Sequence, residues 1–432
     1  MLIILRRVFL VVVLCSGFAS VTFGQENGDA KVRSALETAA GHLQRSDARA
    51  ALDALAPIEQ LEPDNPWLWY YRGNAHRILS DPRQAMKDYD VAINSLHALG
   101  DPDPQLANTI EVARRNARRD IYSLSLQAGL AYDSNVSFGG SGGGVTFVAG
   151  REDGKFATSF QWDYVPILTE QESVTVGLRL ADSWHFSVEE FNYQDYGGYV
   201  RYSRKLTDPW KFDLQTDYDI SYLGNEPYLS NLALSPGFTY QWPVTDARFR
   251  ADQSTIAYRI DFQDFLFDTD PGLDQDGYVQ SLDLNQTFQF RPGSMSDRAW
   301  TVAAGYRFQS FNTEGTEFDR FANTIQLGLT IPVVNPLAPD KECTFRFTAA
   351  VEMDDYWNRS QFDKDRGTRD DLITMLGAVI SQQLIDDPRR GELILHAIVG
   401  WTDADSDVRT SRGEDPFTYD KLVAGFQLEW RF

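Results

Sequence analysis

The residues best suited to chemistry are few, and each set lacks a part that its chemistry needs. Gly139-Gly140-Ser141-Gly142-Gly143 has the spacing of a nucleophile elbow, but an elbow requires a strand before the serine and a helix after it. Here a glycine run leads into a β-type segment, which reads as a surface loop. No Lys-Ser/Thr ending follows to make it a phosphate cradle. Asp403, Asp405, Asp407 and Glu414 occupy the ligand positions of a calcium loop, which would gather hard oxygens around one cation. Val408 takes the place that needs glycine and no helices flank the segment, so a solvated acidic outer loop is expected. Asp268, Asp270, Asp274 and Asp276 read the same way. His42 and His76 have no third ligand nearby and read as packing or surface residues. No Ser-His-Asp or Cys-His set emerges, so the chain is read as non-enzymatic, with no catalytic residue, no metal site and no cofactor.

With 432 residues there is room for two folded units, and an aromatic share of 13% is not that of a single soluble globule. The formal net charge of −22 argues against nucleic acid as a partner, because phosphate binding needs clustered Lys and Arg. The one basic run, Arg114, Arg115, Arg118 and Arg119, falls on a predicted helix and reads as a solvated or membrane-proximal face. Residues 1–24 read as a secretory signal: Arg6 and Arg7, the apolar run Val8 to Leu14, then small residues with cleavage near Gly24. Leu14 before Cys15 speaks against lipid attachment there. Cleavage would leave Cys343 alone, so no intrachain disulfide is expected. No later segment offers the roughly 18 uninterrupted apolar residues of a membrane helix. A membrane role for the mature chain must therefore come from strands.

Two regions with different periods follow. Residues 25–120 are helical and carry an internal repeat of about 34 residues, the tetratricopeptide spacing. Ser46-Asp47-Ala48-Arg49-Ala50-Ala51 matches Ser80-Asp81-Pro82-Arg83-Gln84-Ala85, and His42 matches His76. In the second copy Trp69, Gly73, Ala85, Tyr89 and Ala92 stand where two packing helices need bulky and small residues, and Pro63 ends the first copy. Two repeats plus a helix from about Gln105 to Asp120 should stack into a short solenoid. Its concave face, including the helix beginning near Pro66, is expected to bind a peptide or protein segment.

From 121 to 432 the period is two. Trp210, Phe212, Leu214, Tyr218, Ile220 and Tyr222 alternate with Lys211, Asp213, Gln215, Asp217, Asp219 and Ser221. Charges alternating with aromatics suit a barrel with lipid outside and water inside. Strands are expected at 121–132, 154–165, 172–185, 194–205, 209–223, 230–242, 253–265, 277–291, 298–312, 319–332, 342–355, 369–383, 390–403 and 418–432. The fold class is thus an all-β transmembrane barrel of about 14 antiparallel strands behind a small all-α repeat domain. Shorter turns alternate with mostly longer loops, and parity puts the helical domain on the short-turn side, the periplasmic one in an outer-membrane arrangement. Alternation assigns Arg179, Lys211, Asp213, Asp217, Asp219, Arg259, Asp261, Asp283, Arg307, Arg346 and Glu352 inward, lining water or bracing a plugged barrel. Trp430 and Phe432 close an alternating final strand that looks like a barrel-assembly signal. Its reader would be the assembly machinery, and its surroundings outer-membrane lipid.

The order of signal peptide, tetratricopeptide helices and about fourteen strands resembles the surface lipoprotein assembly modifier family. The segment Gly129-Leu130-Ala131-Tyr132-Asp133-Ser134-Asn135-Val136 is similar to that family's Tyr-Asp-Ser-Asn start to its barrel. The resemblance implies an outer-membrane translocator that helps place lipoproteins on the cell surface, with a lipoprotein client at the repeats. A second resemblance, to repeat-bearing barrels that export exopolysaccharide, shares only the architecture. The alternatives are a diffusion porin or such an exopolysaccharide-export channel, and a barrel that merely anchors a periplasmic protein-binding scaffold.

Overall fold

Capping residues set the helices of the N-terminal part. In a computed structural model the described residues are 28–100, 103–136, 151–245, 247–267, 271–292, 298–360, 362–363, 367–408 and 417–432. The expected signal segment, the glycine loop 139–143, Asp268, Asp270 and Glu414 lie outside them. Among the described residues five helices precede the strands: α1 Gly28–Gln44, α2 Ala48–Leu61, α3 Pro66–Ile78, α4 Pro82–Ala98 and α5 Pro104–Arg119. The side chains of Asp47, Asn65, Asp81 and Asp103 accept from the first-turn N–H groups of α2 to α5. Proline opens α3, α4 and α5, where its missing N–H costs nothing. Ser46 and Ser80, equivalent in the sequence repeat, both take φ 59° immediately before their capping aspartates. The same left-handed step thus turns the chain twice.

Contacts divide the described chain into two compact units: residues through Ser123 with the segments Tyr164–Ser173 and Asp387–Gly391, and the remaining strand residues. In the first, Leu43, Leu55, Ile58, Leu68, Tyr89 and Ile110 are fully buried. One expectation is corrected here. Arg115 is only 7% exposed, so the run does not form a single solvated face. Arg114 pairs through Nε with Asp90 on α4 at 2.6 Å.

The strands are β1 Tyr122–Asp133, β2 Asp153–Leu168, β3 Glu172–His185, β4 Tyr193–Thr207, β5 Trp210–Leu223, β6 Glu226–Gln241 and β7 Phe249–Phe265. They continue with β8 Gly277–Phe290, β9 Trp300–Thr313, β10 Arg320–Val334, β11 Glu342–Arg359, β12 Thr368–Asp387, β13 Gly391–Ser406 and β14 Tyr419–Arg431. Sequential neighbours pair throughout, and β1 pairs antiparallel with β14 to close the barrel. At the seam Leu126 stands opposite Trp430, Gln127 opposite Glu429 and Leu130 opposite Phe426. Leu124 and Phe432 exchange both backbone hydrogen bonds, at 2.9 and 3.1 Å. Large apolar side chains such as Leu130 (58% exposed) and Phe426 (65%) cover the outward face. A patch continued around every strand is far larger than a water-facing surface tolerates.

Several strands outrun the apolar alternation that marks them in sequence, because ladder bonds continue beyond it. β6 begins at Glu226 rather than 230: Gly224 and Asn225 both have positive φ, 59° and 70°, and make a two-residue hairpin where a longer loop was expected.

Candidate functional site

The inward face of the barrel carries the polar chemistry, and small residues decide how its side chains meet. Arg179 on β3 lies between the outward-facing Leu178 and Leu180, so it points the other way. Its Nη2 donates to Asp217 at 3.0 Å and to Asp219 at 3.1 Å, both on β5. That contact crosses β4, whose Gly197 leaves the space: a Cβ there would sit 1.7 Å from the Asp219 Oδ1. Arg259 on β7 donates to Asp261 at 2.6 Å through Nη2 and to Asp217 at 3.4 Å through Nη1. It too skips a strand, passing β6 where Ala233 pairs with both Asp217 and Asp261. Asp217, 1% exposed, is therefore held between two guanidiniums. A buried carboxylate without such partners would be costly.

Five of the eleven expected inward residues, Arg179, Asp217, Asp219, Arg259 and Asp261, thus form one cluster. The other six stand apart from it. Lys211 pairs with Asp213 at 2.8 Å and Arg307 with Asp283 at 2.6 Å. Glu352 accepts from Thr324 Oγ1 at 2.9 Å. Arg346 is exposed on its strand, opposite Thr330 and Val379 in register.

Gly197→Val is expected to separate Arg179 from Asp219 and to cost about 1–3 kcal/mol through overpacking. The urea midpoint of the heat-modifiable gel form reads this directly. A midpoint equal to that of the unchanged protein would show that Asp219 relocates freely.

Single-residue scanning for charge misses several inward groups. Tyr199 Oη donates to Asp163 at 2.5 Å, with the ring lying over Gly177, whose Cβ would come within 2.1 Å of it. Arg320 meets Asp354 at 3.0 Å, and Arg369 meets Asp371 at 2.5 Å. Glu429 gathers Ser125, His396 and Arg431, and His396 Nδ1 stands 2.9 Å from Ser381 Oγ. Parity carried the usable signal: glycine at inward positions of β3 and β4 marks where a neighbour's side chain must cross.

In the acidic segment of β13, Asp403 stands opposite Asp420, and Asp407 accepts from the Asp370 N–H at 2.9 Å. Asp403 and Asp405 lie on a strand that continues to Ser406, not in a loop. No His, Cys, Asp or Glu group among the described residues has metal-binding geometry.

The residues singled out for repeat packing sit in the helical unit. Ala85, Tyr89 and Ala92 are fully buried, and Gly73 leaves the room that the Tyr89 ring fills, since a Cβ there would approach it to 2.5 Å. Trp69 donates from Nε1 to the Pro63 carbonyl at 2.6 Å, and the Arg72 guanidinium lies 4.0 Å above its ring. Burial pulls the Arg72 pKa down, but the bond and charge of Asp88, with Glu59 beside it, leave it above its ordinary value. Burial pushes the Tyr89 phenol far up. At the last strand, Trp430 is half-exposed with its ring 5.8 Å from that of Phe432.

No family model matches the chain, and no curated protein matches it. Solved structures similar to it include a bacterial polysaccharide outer membrane secretin, 11% identical over 71% of this chain and 98% of that one, with a TM-score of 0.36. Another is OprB from Pseudomonas putida, 9% identical over 74% and 96%, with a TM-score of 0.40. A third is CdiB from Acinetobacter baumannii, 7% identical over 72% and 60%, with a TM-score of 0.36. With likeness at this level, function has to be derived from the chain's own residues.

Proposed function

We propose that the chain is an outer-membrane barrel that conducts or exports cargo, with its helical repeats in the periplasm engaging a protein client before transfer. One observation carries this reading: a sheet with no open edge, apolar outward and polar inward. Lipid leaves no other solution for strands, because it cannot satisfy an unpaired backbone edge. Chain connection supports the periplasmic reading. α5 ends at Arg119 and β1 starts at Tyr122, so the chain enters the barrel at the rim of the turns 169–171, 208–209 and 388–390, while the opposite rim has one two-residue hairpin, Gly224-Asn225, and the longest connections, 134–152, 266–276 and 407–418. In outer-membrane barrels the rim of short turns faces the periplasm. A surface lipoprotein is the finer reading of the client, supported by the Tyr132-Asp133-Ser134-Asn135 segment and the order of the domains.

Removing residues 28–119 is expected to leave the purified barrel conductive in planar bilayers while surface display of the client fails in cells. Cross-linking from introduced residues along α3 should capture that client in intact cells. Wild-type display without residues 28–119 would overturn the role given to the repeats.

A further inference from the structure

The inward faces of β12, β13 and β14 bring a serine, an imidazole and a carboxylate into one line. Ser381 follows the outward Ile380, and the outward Val399 and Leu428 place His396 and Glu429 inward by the same parity. His396 Nε2 stands 3.0 Å from Glu429 Oε2, and Nδ1 stands 2.9 Å from Ser381 Oγ. A carboxylate only accepts, so the neutral ring carries its N–H at Nε2 and turns the Nδ1 lone pair to the serine hydroxyl. Glu429 is itself fixed, by Ser125 at 2.8 Å and by two Arg431 contacts at 2.7 Å. Nucleophile, base and orienter in hydrogen-bond reach of one another are what activates a serine. Ser381 is half-buried and the His396 side chain is 14% exposed, so neither is sealed from the lumen.

Two further observations indicate a substrate. Val379 and Ile398 share the inward face, one pleat from Ser381 and His396, and both are only half-buried. An aqueous lumen gives such side chains nothing apolar to lie against. On β11 Thr344 stands opposite Ser381 and Arg346 opposite Val379, which puts Arg346 diagonal to the serine, within reach of a long side chain. Its exposed guanidinium makes no hydrogen bond or ion pair with the described residues.

We infer that Ser381, His396 and Glu429 form a hydrolytic site for carboxylic esters with an apolar acyl chain. The inference rests on the conduit reading in one respect, that the ester must reach the lumen. His396 Nδ1 takes the hydroxyl proton as Ser381 Oγ attacks the carbonyl carbon, and the C=O electron pair moves onto oxygen, where Arg346 donates to the oxyanion. Collapse breaks the bond to the alcohol oxygen, and the alcohol leaves with the proton from His396. Water repeats the sequence on the acyl-serine, releasing the carboxylic acid and restoring Ser381. Glu429 touches no reacting atom. It is a positioning residue that holds the ring tautomer and steadies the imidazolium.

The test uses the full chain, folded in detergent as verified by heat-modifiable mobility, with p-nitrophenyl esters, a fluorophosphonate probe and, in parallel, bilayer conductance. Hydrolysis of the butyrate ester is expected at least tenfold faster than that of the acetate, with the probe attached to Ser381. Ser381→Ala and His396→Ala should each lower kcat at least a hundredfold, and Arg346→Ala about a hundredfold, with partial return in Arg346→Lys. Glu429→Gln should lower kcat at least tenfold at unchanged KM, a split that general loosening of the barrel would not give. Folded protein without label at Ser381, or hydrolysis that survives Ser381→Ala, overturns the inference whether or not the barrel conducts. Should Ser381→Ala fail to fold, labelling of the unchanged protein decides. Label and hydrolysis in a barrel that does not conduct uphold the site and remove the open conduit. Equal rates for acetate and butyrate overturn the assignment to an apolar acyl chain.

Discussion

Glu429→Ala is expected to weaken closure of the barrel by about 3 kcal/mol, the range for removing a buried charge that satisfies several donors. The Glu429 side chain is 5% exposed and sits beside the seam. One oxygen accepts from Ser125 on β1 at 2.8 Å, and the other stands 3.0 Å from His396 Nε2 on β13. Arg431 reaches it from the same strand at 2.7 Å. Loss of the carboxylate orphans Ser125 and His396, whereas Arg431 is half-exposed and rehydrates, so Arg431→Ala should cost under about 1 kcal/mol. Glu429→Gln keeps the acceptor on one side, turns the other into an N–H donor, and should fall between the two. Urea titration of the heat-modifiable form orders the three variants. Equal midpoints for Glu429→Ala and Arg431→Ala would show that closure rests on the backbone ladder alone.

Tyr89→Ala should be the most damaging single change in the helical unit, costing about 3–5 kcal/mol as a fully buried ring lost from a core. The ring packs on Tyr70 and fills the space left by Gly73, and its hydroxyl donates to Asn74 Oδ1 at 2.8 Å. A unit of this size has a total stability of only about 5–15 kcal/mol, so most of its margin would go. Tyr89→Phe keeps the ring and loses one hydrogen bond, about 1 kcal/mol. Limited proteolysis between 28 and 119 at increasing temperature separates the variants. The barrel, a separate compact unit, should keep its gel mobility in both. Tyr89→Ala helices as resistant as the native ones would show that the cavity collapses at little cost.

Much of the architecture was legible because lipid and water impose opposite demands on neighbouring residues. β3 runs over 172–185, the span the alternation alone marks. The inward positions of Arg179, Asp217 and Arg259 follow from the same parity. Their assembly into one cluster does not, since Arg179 meets Asp217 across an intervening strand whose register is set by pairing rather than by pattern. The start of β6 was invisible for a related reason: Glu226 and Pro227 break the alternation, and the hairpin at Gly224-Asn225 extends the ladder past it. In the helices the 34-residue spacing was legible, since Ser46 and Ser80 take the same left-handed φ, but the capping aspartates were not read from the sequence, and neither was the burial of Arg115, because a charge run marks residue type and not what packs over it.

The seam between β1 and β14 also has a kinetic side. Ser125 and Glu429 are 304 positions apart in the chain, so the contact that ends barrel formation has about the highest sequence separation the fold contains. Loop-closure entropy grows only logarithmically, about 0.6 kcal/mol per doubling of length, so the separation scarcely affects equilibrium stability. Its effect is on order of events, because non-local pairing comes late. Neighbouring hairpins can zip from any turn, yet until β14 arrives the growing sheet carries two unpaired edges, each a template for another chain. Concentration of the unfolded chain should therefore govern its folding yield more than temperature does.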